Sequence, residues 1–168
     1  MLHPIPYKTT TELSVLIKQE KKAFDAFFQM LRKKKPKNLD DRFHELHAEA
    51  FDHFDCLQCA NCCSSISPIV NEKDIDRLAR HFKKKAGDLI SAYFHIDEDM
   101  DYVFNETPCP FLMPDNYCMV YESRPKACRE YPHTDRRRMV QILKLTQKNC
   151  EVCPVVYAIV KDLMSGDW

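Results

Sequence analysis

A mainly α fold with a small β-hairpin (α+β), in one compact domain organised around cysteine-rich metal-binding loops, is predicted by three observations. Apolar residues recur at steps of three and four over long stretches, the period of helices with one buried face. Two short β-like runs, Tyr102-Val103-Phe104 and Tyr117-Cys118-Met119-Val120-Tyr121, flank the turn-forming Pro114-Asp115-Asn116. Four of the nine cysteines crowd into the eight residues Cys56-Leu57-Gln58-Cys59-Ala60-Asn61-Cys62-Cys63.

The elements follow in order. Residues 1–8 read as an extended arm. Leu13, Leu16, Ile17, Phe24, Phe27, Phe28 and Leu31 predict a helix from Thr11 to Lys34, stopped by Pro36. A second helix from about Asp40 to Phe54 buries Phe43, Leu46, Ala50, Phe51 and Phe54, and delivers the chain to the Cys56 loop. Asn71 caps a third helix reaching about Lys85, with Asp74 in its first turn. Gly87-Asp88 breaks the chain before a short helix from Leu89 to His95. The two β-like runs then form a hairpin. Ser123 caps a short helix carrying Cys128, the stretch Thr134 to Lys148 fits helix or strand, and Pro154 opens a final helix through Met164. The organisation expected is an arm over 1–8, a helical pair over 9–55, and a cysteine-cluster region over 56–168, packed with the helices as one domain.

Bulk properties narrow the function. A chain of 168 residues can bury a full core, so metal is not needed merely to make a fold possible. With 25 basic and 25 acidic residues, neither nucleic acid nor an anionic membrane is the default partner. Only Gly87 and Gly166 occur, which excludes a Rossmann fingerprint and a P-loop. The N-terminal residues carry no apolar h-region and no stretch approaches a membrane span, so a cytoplasmic protein is expected. Nine cysteines in such a setting point to metal or redox work, not to structural disulfides.

The spacing C-x2-C-x2-C of Cys56, Cys59 and Cys62 can turn three sulfurs toward one point on a tight loop. Cys63 follows at once. On an extended stretch the Cys62 and Cys63 side chains would point opposite ways, one to the first site and the other to a second site or a nearby polar face. Cys109 lies between Pro108 and Pro110 on stiff, non-helical backbone. Cys150 and Cys153 form a C-x2-C pair just before Pro154, where the free N–H groups of a helix start favour thiolate. With Cys118 and Cys128, the nine thiols suffice for two four-sulfur sites, or for one cluster plus redox or buried structural cysteines. Arg124 and Arg129 flank Cys128 and would offset the negative charge of a four-thiolate centre. The triplet leans toward a [4Fe–4S] cluster, whereas paired C-x2-C knuckles suit Zn²⁺.

Other motifs carry less. His44-Glu45-Leu46-His47 departs from the zinc-protease spacing and reads better as a surface or packing feature. His53 and His133 lie near cysteine loops in sequence. Asp97-Glu98-Asp99-Met100-Asp101 reads as a solvated loop, without EF-hand spacing. Arg32-Lys33-Lys34-Lys35 reads as a solvated helix end, placed where the helix dipole favours cations.

From Cys56 to Pro132 the chain resembles the CxxCxxCC cysteine-cluster family, also called the YkgJ family, of zinc- or iron-chelating proteins. The matching residues are the Cys56–Cys63 run, Pro108-Cys109-Pro110-Phe111-Leu112, and Cys118-Met119-Val120-Tyr121-Glu122-Ser123-Arg124-Pro125 continuing through Cys128-Arg129-Glu130-Tyr131-Pro132. Many members carry a glycine before the third cysteine, where this chain has Ala60-Asn61. The resemblance implies a metal-binding protein. A redox, electron-transfer or structural role is expected first; a metal-dependent enzyme with an open coordination position, or an iron or zinc chaperone or sensor, are the alternatives.

Overall fold

The computed structural model describes residues 5–166, so the arm expected over 1–8 lies partly outside the described residues. Among the described residues the architecture is mainly helical with one two-stranded antiparallel sheet, the fold class the sequence predicts. Two compact units account for it. One runs to Asn61 and resumes from Pro132; the other is Cys62–Tyr131. No helix among the described residues is long and apolar enough to cross a membrane.

The first unit contains α1 (Thr10–Gln19), α2 (Lys21–Lys34), α3 (Leu39–Phe51), α4 (Cys56–Cys59), α9 (Leu143–Asn149) and α10 (Pro154–Ser165). α1 begins in a capping box: the Glu12 N–H donates to Thr9 Oγ1 at 3.2 Å, and the Thr9 N–H to Glu12 Oε2 at 2.7 Å. The single helix expected over 11–34 is two, because Glu20 leaves helical geometry at φ −103°. Phe24, Phe28 and Leu31 of α2 are buried, as are Leu39, Phe43, Leu46 and Ala50 of α3. α10 contributes Val155, Val156, Ile159, Val160 and Leu163, and its N-terminal proline occupies the position where a missing N–H costs nothing. The ambiguous stretch after Thr134 resolves as a 3-10 turn, Met139–Gln141, followed by α9. Its period looked mixed because Met139, Leu143 and Thr146 are buried from two different helix types.

The second unit holds α5 (Asn61–Ser65, entering from the boundary), α6 (Glu72–Phe82), α7 (Ala86–Tyr93), β1 (Phe94–Ile96), β2 (Tyr102–Phe104) and α8 (Lys126–Glu130). Asn71 caps α6 reciprocally with Asp74, as expected, and Lys83 ends the helix in the left-handed region, sooner than Lys85. The hairpin exists but with a different first strand. Tyr102–Phe104 pairs with Phe94–Ile96 (Phe94↔Phe104, Ile96↔Tyr102), and the acidic run forms its turn. Asp97 Oδ1 accepts the N–H groups of Asp99 at 3.0 Å and Asp101 at 2.9 Å, a local solution that β-run counting does not detect. The Pro114-Asp115-Asn116 turn also forms, but it joins Leu112 to Cys118 through a single bridge. α8 is capped at Pro125, not Ser123, and the residues before it form a 3-10 turn, Tyr121–Ser123. The core here is aromatic. Phe111 is 2% exposed, with ring centroids 5.3 Å from Phe82, 5.0 Å from Tyr93 and 5.4 Å from Phe104.

Candidate metal centre

In the first unit, Cys56 and Cys59 occupy α4, a single helical turn started by Asp55, whose Oδ1 accepts the Leu57 N–H at 2.9 Å. The turn ends at Ala60, which adopts φ 50°, a left-handed conformation that glycine reaches at less cost. Asn61 then fastens this loop. Its Nδ2 donates to the Val152 carbonyl at 3.0 Å and to the Lys8 carbonyl at 2.7 Å, tying the C-x2-C of Cys56 and Cys59 to the backbone between Cys150 and Cys153. Tyr7 supports the same loop by stacking on Phe54 at 4.7 Å and accepting the Asp55 N–H at 3.2 Å.

Burial dominates the chemistry of this set. It pushes the Cys153 thiol up to about 12; the Val156 and Val155 amides at the start of α10 pull the other way, while Cys56 and Cys59 are near enough to push up further. Burial likewise raises Cys150 well above the ordinary thiol range, with Cys153 adding to it. Cys150 is 0% exposed and its Sγ donates to the Thr146 carbonyl at 3.3 Å. Cys56, by contrast, is exposed and Cys59 half-buried.

The second unit assembles a different set. Cys62 and Cys63 lie in the helical turn α5, with sulfurs 4.0 Å apart. The expectation that they point opposite ways is therefore corrected: it assumed extended backbone, and the left-handed Ala60 restarts a helix instead. The Cys109 N–H donates to the Cys63 carbonyl at 2.8 Å. Two residues on, Phe111 sits in the aromatic core and pins the Pro-flanked segment. The Met119 N–H donates to the Phe111 carbonyl at 2.9 Å, which sets Cys118 beside Cys109. α8 supplies Cys128.

These four thiols act on one another electrostatically. Cys128 is raised to about 12, first by burial and then by Cys63, Cys109 and Cys118. Burial raises Cys109 to about 11, against the Phe111 and Leu112 amides, and raises Cys118 against the Val120 amide. Cys63 goes the other way. The Cys62 side chain lowers it to about 7 against burial, helped by the positive charge of Arg124.

Arg124 lies 3.7 Å from the Tyr121 ring centroid, and its Nη1 donates to the Tyr121 carbonyl at 3.0 Å. Arg129 Nη1 donates to the Arg124 carbonyl at 3.2 Å. A pair that sequence reasoning undervalued holds this whole segment. Asp74, 1% exposed, bridges to Arg77 and accepts the Lys126 N–H at 3.0 Å. Arg77 donates in turn to the Ser123 carbonyl at 3.2 Å and the Arg124 carbonyl at 2.8 Å. Asp74 was visible only as a helix-start carboxylate; its burial and its reach to residue 126 needed the fold. Asn61 had no sequence signal beyond its place inside the cysteine run.

His44 and His47 face backbone and side chain of their own unit. His44 Nε2 pairs with the Arg136 carbonyl at 3.0 Å, and His47 Nδ1 with Thr134 Oγ1 at 2.7 Å. Among the described residues, no group of three or more His, Cys, Asp or Glu side chains is placed to hold a metal ion. Burial raises Cys109, Cys118, Cys128, Cys150 and Cys153 and so favours their protonated thiols. Their donor chemistry fits a thiophilic metal, since thiolates bind zinc and iron and loading a protonated site releases protons.

No curated protein and no solved structure matches the chain. Residues 55–154, a span holding all nine cysteines, match the family CxxCxxCC, "Putative zinc- or iron-chelating domain". The match covers more than half of the 168 residues, and the chain belongs to the CxxCxxCC family.

Proposed function

We propose that this protein is a two-site metal–thiolate protein, with a zinc ion held by Cys56, Cys59, Cys150 and Cys153 and a [4Fe–4S] cluster held by Cys63, Cys109, Cys118 and Cys128. The division of eight cysteines into two neighbourhoods of four, each within one unit, carries this reading. The first set consists of two C-x2-C pairs, the spacing of zinc knuckles, of which Cys150 and Cys153 are buried beside a helix start while Cys56 is exposed. The second set is half-buried and built from single cysteines on short segments. Backbone amides act on Cys109 and Cys118, and Arg124 lies beside the group. Hydrogen bonds to sulfur and nearby charge are the levers that tune an iron–sulfur potential.

When bound, a [4Fe–4S] cluster supplies a one-electron redox centre, so the role that follows is electron transfer in the cytoplasm, with the zinc site structural. Within this reading Cys62 is a thiol neighbour of the cluster site, and Arg124 offsets its charge; Arg129 acts on the site only through the Arg124 carbonyl. Iron, zinc and acid-labile sulfide per chain after anaerobic purification test it. About four iron with four sulfide and about one zinc are expected. Zinc alone, without sulfide, would remove electron transfer and leave a purely structural or zinc-handling protein.

A further inference from the structure

The zero net charge of the chain conceals a strongly basic region within the first unit. Residues 32–41 and 135–148 together contain ten Lys and Arg against three Asp. The fold brings these two segments together. Asp40 accepts the N–H groups of Arg138 and Met139, the latter at 2.8 Å, and Arg32 Nη1 donates to Gln147 Oε1 at 3.4 Å. Lys33, Lys34, Lys35, Arg137, Arg138 and Lys144 are all exposed, and none is in an ion pair with another described residue. The acids do little to offset them. Asp40 is engaged by backbone N–H groups, Asp135 faces His47 at 4.0 Å, and the third acid, Asp41, is exposed against ten cations.

The helix dipole accounts for only half of this. Cations at the end of α2 sit where the dipole favours them. The Arg136-Arg137-Arg138 run precedes a 3-10 turn and the start of α9, where the dipole favours anions instead. Such a run beside a second lysine cluster makes a concentrated positive potential, which attracts polyanions. Guanidinium and ammonium groups together suit phosphate.

We infer that this face binds the phosphate backbone of a nucleic-acid duplex, without reading its sequence. The choice of duplex over membrane rests on what accompanies the charge. Stable membrane docking by a basic face takes an inserted apolar group or lipid chain as well, and among the described residues Leu145 is the single large apolar side chain exposed between these cations. Aromatic side chains for stacking on unpaired bases are likewise not among the exposed residues of the two segments.

The test is fluorescence anisotropy of labelled DNA and RNA duplexes of about 20 base pairs, titrated with the metal-loaded full chain from about 50 to 200 mM salt. Phosphatidylserine vesicles form a parallel arm. Expected is duplex binding that weakens steeply with salt. Two separate variants, Lys33→Gln/Lys34→Gln/Lys35→Gln and Arg136→Gln/Arg137→Gln/Arg138→Gln, should each weaken it about tenfold or more at low salt. Each should also reduce the log–log salt slope by about one per lost contact. Their metal content should equal that of the wild type. The triple variant Lys83→Gln/Lys84→Gln/Lys85→Gln, which removes an exposed basic run of the other unit, should leave binding unchanged. No duplex binding at low salt, equal weakening by the control variant, or vesicle binding without duplex binding would each overturn the inference.

Discussion

The two cysteine sets use one kind of side chain in two physical settings. In the first unit, Cys150 and Cys153 are buried at the junction of two helices, and the Asn61 amide ties the Cys56–Cys59 turn to the Val152 carbonyl between them. In the second, Cys63, Cys109, Cys118 and Cys128 lie half-buried on short segments held by an aromatic anchor, Phe111, and a buried ion pair, Asp74–Arg77. Burial raises Cys150 and Cys153 in the first set, as it raises Cys109, Cys118 and Cys128 in the second. The second contains a thiol near neutrality, Cys63, because a neighbouring sulfur and a guanidinium act on it. Position along the chain does not sort cysteines by partner: consecutive members of the Cys56–Cys63 run fall into different units.

That contrast can be broken most severely at Asp74. Asp74→Ala leaves Arg77 without its carboxylate and the Lys126 N–H without an acceptor, at an expected cost of about 3–5 kcal/mol. Denaturant unfolding measures it. Metal should be lost from the Cys63 set while the Cys56 set keeps its own, so equal loss from both would contradict the separation.

The pH dependence of the metal-free chain sharpens the contrast next. Cys109, Cys128 and Cys153 have folded values raised above an unfolded thiol, to about 11, about 12 and about 12. Such groups contribute stability fully below the unfolded value, and it is lost as pH rises toward the folded one. Metal-free stability should therefore fall above about pH 9, by about 1.4 kcal/mol per pH unit for each thiol, relative to a chain lacking that thiol. Cys63 has the opposite sign: its contribution is present above the unfolded value and is lost as pH falls through about 7. Denaturation of wild type and Cys153→Ser at stepped pH should show the two curves converging at high pH; parallel curves would contradict the burial argument.

Asn61→Ala removes two hydrogen bonds, with an expected cost of about 1–3 kcal/mol. It should speed zinc removal by a chelator and leave the iron content unchanged. The smallest effect belongs to Arg124→Gln. The midpoint of Cys63 alkylation in the metal-free chain, followed by mass spectrometry, should move to higher pH, and Arg124→Lys should move it less, because the charge is kept.

Much of the fold was legible because it obeys local rules. The Asn71–Asp74 capping box, the proline opening α10 and the apolar faces of α2 and α3 all follow from nearest neighbours in sequence. The hairpin was misplaced because Asp97 makes its turn through its own side chain, in a run that reads as mere charge. Within the candidate site, the motif residues announced themselves by type and spacing. Their grouping did not, because Cys63 and Cys128 are separated by 65 positions and are brought together by α6 and the Phe111 core. The charge asymmetry was hidden for the same reason: a sum over the chain is blind to two segments that meet only in the fold.

The most direct test of the two-site account compares Cys153→Ser with Cys128→Ser, purified anaerobically and analysed for zinc, iron and sulfide. With two separate sites, Cys153→Ser loses zinc and retains iron and sulfide, and Cys128→Ser loses iron and sulfide and retains zinc. Loss of all metal from either variant alone, or the same partial loss from both, would mean that the nine thiols serve one centre.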